Sequence, residues 1–124
     1  MRIFKNSFFT RWGNKENIDN RHLIAAIDEI KKGLIDADLG GGMYKKRIPI
    51  QGKGKSAGFR TLLAYKSGKN IFFLYGFSKN KQSNISKQEL RALKLLAKQF
   101  LSYDNQALDD LIVKGILFEV IKNE

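Results

Sequence analysis

The chain has 124 residues, no cysteine and a formal net charge of +11 at pH 7. This length fits one compact domain, and the 43% of hydrophobic residues is enough to build a core. Without cysteine, a disulfide framework and a cysteine-based zinc site are both excluded. No apolar run approaches the roughly 20 residues that a membrane span needs. Met1–Ser7 has no signal-peptide pattern, so a cytoplasmic location is expected.

The first forty residues predict a short strand and two helices. Residues 2–5 are expected to form the strand, and Asn6 or Ser7 to cap a brief aromatic helix after it. Asp19 or Asn20 precedes a second helix, whose apolar residues recur at steps of four, three and four and therefore share one face. These residues are Leu23, Ile27, Ile30 and Leu34.

The middle of the chain predicts an antiparallel three-stranded unit, since short β-rich runs alternate with glycine-rich and turn-forming segments. The three strands are expected at Tyr44–Ile50, Phe59–Lys66 and Ile71–Phe77. Gly52–Gly58 is expected to be a flexible loop between the first two strands.

Side chains alternate along a strand, so this pattern also predicts which residues share a face. Arg60 is expected beside Leu62 and Ala64. Lys45 and Arg47 are expected on one face of their strand, opposite Lys46. In the last strand the alternation places Tyr75 and Phe77 with Ile71 and Phe73, opposite Phe72 and Leu74.

The last third of the chain predicts a long helix, a short helix and a final strand. Ser86 with Glu89 three residues later forms a capping box for the long helix. Its buried stripe is expected to contain Leu90, Leu93, Ala97 and Phe100. A shorter helix is expected around Gln106–Val113 and a strand at Ile116–Ile121, within a C-terminal extension of unassigned role at residues 104–124.

The positive charge is concentrated in one segment. From Leu39 to Gln88 there is no Asp or Glu, and the rest of the chain carries as many acidic as basic residues. The segment contains eleven cations: Lys45, Lys46, Arg47, Lys53, Lys55, Arg60, Lys66, Lys69, Lys79, Lys81 and Lys87. Such a segment attracts a polyanion, most plausibly nucleic acid. An ordinary solvated basic face and an acidic protein partner are the alternatives.

The basic segment limits the chemistry that is possible. It holds no His and no carboxylate, so neither a two-histidine ribonuclease nor a two-metal nuclease can be assembled within it. His22, the only histidine, is expected to be structural or solvent-facing. Gly54-Lys55-Ser56 resembles the end of a P-loop, but Pro49 stands where the first glycine is needed and a strand follows instead of a helix.

A strand–loop–hairpin surface rich in Lys and Arg can nevertheless cleave RNA without a metal. Arg60 could stabilise the phosphorane charge, because a guanidinium stays charged and binds phosphate oxygens with two donors. A lysine crowded by other cations has a lowered pKa, which suits proton transfer. Tyr75 or Phe77 could stack a base, although packing in the core is the commoner role of strand aromatics. Lys45, Lys46, Arg47 and Lys81 are further candidates for RNA binding.

Three segments resemble the RelE-like toxins, specifically their HigB-like branch: Gly40–Arg47, Gly52–Arg60 and Phe72–Asn80, continued by Asn84-Ile85-Ser86. The resemblance covers about residues 2–103. It implies a single α+β domain, mainly an antiparallel twisted sheet with N-terminal helices and a C-terminal helix packed on it. It also implies a toxin of a two-gene toxin–antitoxin system that cuts mRNA in the ribosomal A site, with no metal or other cofactor.

The resemblance also assigns roles to individual residues. Arg60 matches the family's phosphate-stabilising arginine, Lys53 and Lys55 match the basic loop before it, and Lys79 matches a basic position after the hairpin. Some members have a catalytic Tyr or His near the chain end. Here no His lies there, and Tyr103 is the nearest phenol, so the general base stays open.

Two further function classes are compatible with the sequence. One is a non-enzymatic toxin of the related ParE type, which binds DNA gyrase, and the other is a plain nucleic-acid-binding module. The resemblance implies a cognate antitoxin, often a helix-turn-helix protein, which we expect to place acidic side chains opposite Arg60 or Lys53.

Overall fold

The computed structural model describes residues 1–49, 58–82 and 84–121. These residues form a single α+β domain, as predicted, with four helices and one six-stranded mixed sheet. In chain order the elements are β1 (Ile3–Asn6), α1 (Ser7–Lys15), α2 (Asn20–Lys31), β2 (Ala37–Gly40), β3 (Met43–Ile48), β4 (Phe59–Tyr65), β5 (Ile71–Ser78), α3 (Lys87–Ser102), α4 (Asn105–Val113) and β6 (Leu117–Glu119). None of these helices is long and apolar enough to cross a membrane.

The sheet has the strand order β2-β3-β4-β5-β1-β6. β3, β4 and β5 form the antiparallel unit that the sequence predicts. β1 lies between β5 and β6 and pairs in parallel with β5, with Ile3 opposite Ile71. The sequence did not predict this parallel pair, because no hairpin joins its two strands. It did not predict β2 either, because Gly40–Gly42 indicates only a break in the pattern, although Gly41 and Gly42 form the turn that joins β2 to β3.

The core lies in two layers, one on each face of the sheet. α1 and α2 cover one face, where Phe9, Ile27 and Phe73 are fully buried. α3 and α4 cover the other face, where Phe4, Phe72 and Leu108 are fully buried. β5 is apolar on both faces because it is an inner strand with a helical layer on each side.

The N-terminal caps follow the sequence closely. Asn6 caps α1 by accepting a hydrogen bond from the Phe9 amide at 2.8 Å. Asp19 caps α2, and the ring of His22 accepts a hydrogen bond from the Asp19 amide at 3.1 Å, which completes a capping box. The structural role predicted for His22 is therefore confirmed.

One core residue was predicted wrongly. Leu34 does not continue the buried face of α2, because the helix ends at Lys31 and Gly33 adopts a positive φ of 83°. The chain turns away there, and Leu34 is 55% exposed.

The C-terminal residues are an integral part of the domain. β6 pairs antiparallel with β1, and Leu108 and Leu117 are buried against the sheet. Arg2 links the start of β1 to α4 and β6. Its guanidinium lies 2.7 Å from Asp109 on α4, 2.9 Å from Glu119 on β6 and above the ring of Phe4. Residues 104–121 thus complete the sheet and its helical layer instead of extending beyond them.

Candidate nucleic-acid interface

Two arginines face each other on adjacent strands. In the antiparallel pair of β3 and β4, Arg47 is directly opposite Arg60, and Lys45 is opposite Leu62. Leu62 and Ala64 belong to the core layer under α3, whereas Phe59, Leu63 and Tyr65 pack on the other side. The predicted face of Arg60 is therefore confirmed, and Lys45 and Arg47 share it.

The predicted alternation of β5 is wrong in its second half. The register against β4 shifts between Leu62 and Leu63: Leu62 pairs with Tyr75, and Leu63 pairs with Phe73. Leu74 is the extra residue of this β-bulge, which reverses the alternation beyond it.

The bulge therefore brings Tyr75 and Phe77 to the face of the sheet that carries Arg47 and Arg60, which we call the arginine face. Phe77 stands directly opposite Arg60 in the register. Across three strands, Arg47, Arg60 and Phe77 form one row and Lys45, Leu62 and Tyr75 form the next.

Gly58 shapes the space around the two arginines. Its carbonyl accepts a hydrogen bond from Arg60 Nη1 at 2.9 Å. A Cβ at this position would lie 2.7 Å from the Ile48 carbonyl oxygen and 3.2 Å from Arg47 Cγ. Only a glycine therefore leaves the stem of Arg47 in place beside the entry of β4.

The carboxylate of Asp36 does not bind either guanidinium group of this arginine pair. Asp36 accepts a hydrogen bond from the backbone amide of Arg47, not from its guanidinium. Neither Arg47 nor Arg60 forms an ion pair within the described parts of the chain. An anion from outside could therefore bind to both guanidinium groups.

Tyr75 lies beside this pair in a partly buried setting. Its ring stacks on Phe8 with centroids 4.8 Å apart, and its hydroxyl lies 3.4 Å from Glu89 Oε2. Burial is the main cause that raises the pKa of Tyr75, a side-chain hydrogen bond with Gln82 opposes it, and Glu89 adds to it. The phenol therefore keeps its proton at neutral pH and is a hydrogen-bond donor.

Lys45 contacts the segment that leads into α3. Its Nζ lies 3.4 Å from Asn84 Oδ1, and the same oxygen accepts a hydrogen bond from the Ile85 amide. Asn84 thereby connects Lys45, at the edge of the arginine face, to the start of α3.

Two of the residues predicted to bind RNA are inside the protein. Lys46 is 6% exposed, forms a 2.6 Å ion pair with Glu29 and donates a hydrogen bond to the Leu34 carbonyl. Phe77 is 3% exposed, so neither face of its ring is open to a base. We therefore remove both from the interface, because Lys46 connects β3 to α2 and Phe77 forms part of the floor under the arginines.

The remaining predicted residues lie in the turn after β5 or outside the described ranges. Lys79 and Lys81 are exposed in the turn after β5, and Lys81 Nζ is 3.7 Å from Glu16 on α1. Lys53 and Lys55 fall in residues 50–57, which are outside the described residues. Along the chain that segment connects Pro49 to Gly58, the two ends that flank the arginine pair.

Sequence reasoning missed three contributors to this face: Gly58, Asn84 and the bulge at Leu74. Gly58 was visible only as part of a glycine-rich loop, and Asn84 only as a residue before a helix cap. The bulge leaves no signal in the alternation itself, because every residue of β5 from Ile71 to Tyr75 is apolar or aromatic.

The fold and this face define a small basic α+β protein that carries two arginines opposite each other on its sheet. The chain belongs to the RelE toxin family: residues 1–120 match the family model described as RelE toxin of the RelE/RelB toxin–antitoxin system. No curated protein matches the chain at a significant level. The chain is therefore the toxin of a toxin–antitoxin system, and a cognate antitoxin is its partner.

Proposed function

We propose that this toxin is a ribosome-dependent, metal-independent mRNA endoribonuclease that inhibits translation. The arginine face of β3 and β4 would hold the scissile phosphate. Within the family, the segments Gly40–Arg47 and Gly52–Arg60 favour the HigB-like branch.

The observation that carries the proposal is the direct pairing of Arg47 with Arg60. Like charges opposite each other across two strands destabilise a sheet. Two guanidinium groups in that position become favourable when a phosphate lies between them, because each can donate two hydrogen bonds to its oxygens. The face therefore has the chemistry that a phosphodiester requires.

The reaction follows from the needs of RNA itself. The 2′-hydroxyl oxygen forms a bond to the adjacent phosphorus and loses its proton, while the bond from phosphorus to the 5′-oxygen breaks and that oxygen gains a proton. The products are a 2′,3′-cyclic phosphate and a 5′-hydroxyl. Arg60 and Arg47 stabilise the extra negative charge on the phosphorane.

We assign proton transfer to Lys53, Lys55 and Lys79, which match basic positions of the family pattern, and leave open which of them is the base and which the acid. Tyr75 is assigned a binding role at the border of the face: one side of its ring is covered by Phe8, and the phenol keeps its proton. Lys45 contributes charge to the surface along which the RNA backbone lies. Lys81 is assigned no RNA contact, because its Nζ lies 3.7 Å from Glu16.

The test is cleavage of a defined mRNA on programmed ribosomes, with wild-type protein, Arg60→Ala and the matched control Arg21→Ala. Arg21 is exposed and bound to Asp19, so its removal takes away the same charge on a different part of the surface. We expect A-site cleavage by the wild type and the control, and loss of cleavage in Arg60→Ala. Cleavage by folded Arg60→Ala would refute the assignment of the site.

A gyrase assay run in parallel separates the alternative. If no variant cleaves mRNA but the wild type inhibits purified DNA gyrase, the toxin is of the ParE type. If it does neither and binds RNA in a salt-dependent way, it is a plain nucleic-acid-binding module.

A further inference from the structure

A second surface lies at the opposite end of the sheet from the arginine pair. It is a groove of about 750 Å³ between α3 and the two turns that connect β2 to β3 and β4 to β5. Tyr44, which lines the groove, and Arg47 are three residues apart on β3, so the groove begins roughly 10 Å from the arginines along the strand. A ligand in the groove would therefore be distinct from the phosphate between Arg47 and Arg60.

The groove combines an apolar floor with a basic rim. Leu101 lines its floor and Leu95 on α3 is 69% exposed beside it, while Tyr44 and Tyr65 border the groove from β3 and β4 and pack towards the α1 and α2 layer. The rim carries three cations of α3, namely Arg91, Lys94 and Lys98. Within the ranges that the structure describes, none of the three forms an ion pair with a carboxylate.

Three glycines form one wall of the groove, and because they have no side chains the groove stays open there. Gly40, Gly41 and Gly42 all have positive φ angles, between 64° and 82°. The stem of Lys94 lies against this turn, since a Cβ on Gly41 would be 3.9 Å from its Cγ and Cδ. The glycine run that the sequence marks as a break thus also determines the shape of the groove.

We propose that this groove binds an acidic amphipathic segment of the cognate antitoxin. Arg91, Lys94 and Lys98 lie three and four residues apart on one side of α3, which suits a row of Asp or Glu side chains. Apolar anchors between those acids would cover the exposed Leu95, an aliphatic side chain that offers no aromatic ring on which an RNA base could stack. The inference depends on membership of the toxin family and is independent of the proposed nuclease activity.

The experiment is an affinity measurement between full-length toxin and its cognate antitoxin, with variants in the groove. In Leu95→Glu and in Lys94→Glu/Lys98→Glu, we expect the affinity for the antitoxin to fall by about tenfold or more, because an apolar anchor or two charge contacts are lost. These side chains are exposed or lie on the rim, so the variants should keep the wild-type unfolding midpoint. Arg11→Glu/Lys31→Glu is the matched control on the α1 and α2 side, and should bind like the wild type.

Hydrogen exchange on the same complex gives a second measurement that does not depend on mutation. We expect the antitoxin to protect the backbone amides of Gly41–Tyr44 and Lys66–Ser67. Unchanged affinity in both groove variants, or protection confined to the ends of β3 and β4 at Arg47 and Arg60, would overturn the inference. Weaker RNA or ribosome binding with intact antitoxin binding would also overturn it, and would assign the groove to nucleic acid.

Discussion

Arginine occurs in two contrasting settings in this protein. At the β1–α4–β6 end, Arg2 is bound by Asp109 and Glu119 and lies 4.9 Å from the Phe4 ring centroid. At the β3–β4 end, Arg47 and Arg60 are opposite each other, and neither has a carboxylate partner in the described residues.

The comparison separates cations that hold the fold from cations that are available to a ligand. Lys46 belongs to the first group, because its ammonium group forms an ion pair with Glu29 and donates a hydrogen bond to the Leu34 carbonyl. A basic residue is therefore not a nucleic-acid contact merely because it lies in a segment without acids. What decides is whether another element places a carboxylate against it.

The largest expected effect is on cleavage, from changes at Arg60. Arg60→Ala should lower the rate of mRNA cleavage by about 10²–10³, because a donor to the developing phosphorane charge is lost. Arg60→Lys should recover only part of this loss, since an ammonium group keeps the charge but not the two-donor geometry. Single-turnover cleavage on programmed ribosomes measures both, and full activity in Arg60→Lys would show that charge alone suffices.

A change at Arg2 should instead lower the stability of the protein and leave its cleavage activity unchanged. Arg2→Ala should lower the free energy of unfolding by about 1–2 kcal/mol, because an exposed ion pair to α4 and a partly buried one to β6 are removed. Urea unfolding measures this loss, and cleavage by the remaining folded protein should stay at the wild-type rate. If Arg2→Ala kept its stability and lost cleavage, the division into two groups of cations would be wrong.

The salt dependence of RNA binding should also distinguish the Arg47–Arg60 pair from Arg2. For single-stranded RNA, each phosphate contact contributes about −0.7 to the slope of log K against log salt concentration. Because Arg47 and Arg60 share one phosphate, Arg47→Ala/Arg60→Ala should reduce the slope by about 0.7, whereas Arg2→Ala should leave it unchanged. Equal slopes in all three proteins would show that RNA does not contact the arginine face.

The smallest effect concerns the exposed pair Asp19–Arg21. The hydrogen bond from Arg21 is the main cause that lowers the pKa of Asp19 from 3.8 to about 2. A carboxylate whose pKa is lowered in the folded state stabilises the protein above its ordinary pKa, and this contribution is lost as the pH falls towards the folded value. Unfolding measured between pH 4 and pH 2 should therefore lose stability less steeply in Arg21→Ala than in the wild type, and identical curves would contradict the assignment.

Local signals in the sequence were sufficient for most helices and for the central hairpin. Ser86 and Glu89 form the predicted capping box, with the Glu89 amide donating to Ser86 Oγ at 3.1 Å. Asp19 caps α2 because its carboxylate accepts from amides within three residues. Interactions of this range depend on neighbouring residues alone, so they can be predicted before the fold is known.

The candidate site was only partly predictable, because its residues meet through pairing between strands. Alternation placed Arg60 on the correct face, but the bulge at Leu74 changed the face of Tyr75 and Phe77. An all-apolar inner strand gives no indication of where an extra residue lies, since its side chains are buried on both faces.

The sequence by itself determined the fold class, the helix caps, the concentration of charge and the family resemblance, since these follow from composition and short spacings. Only the tertiary structure decided which cations are free. Glu29 neutralises Lys46 from α2, and Asp109 and Glu119 neutralise Arg2 from more than a hundred residues away. The register of β3 against β4 then places Arg47 opposite Arg60, because cross-strand neighbours are determined by the packing of the whole sheet.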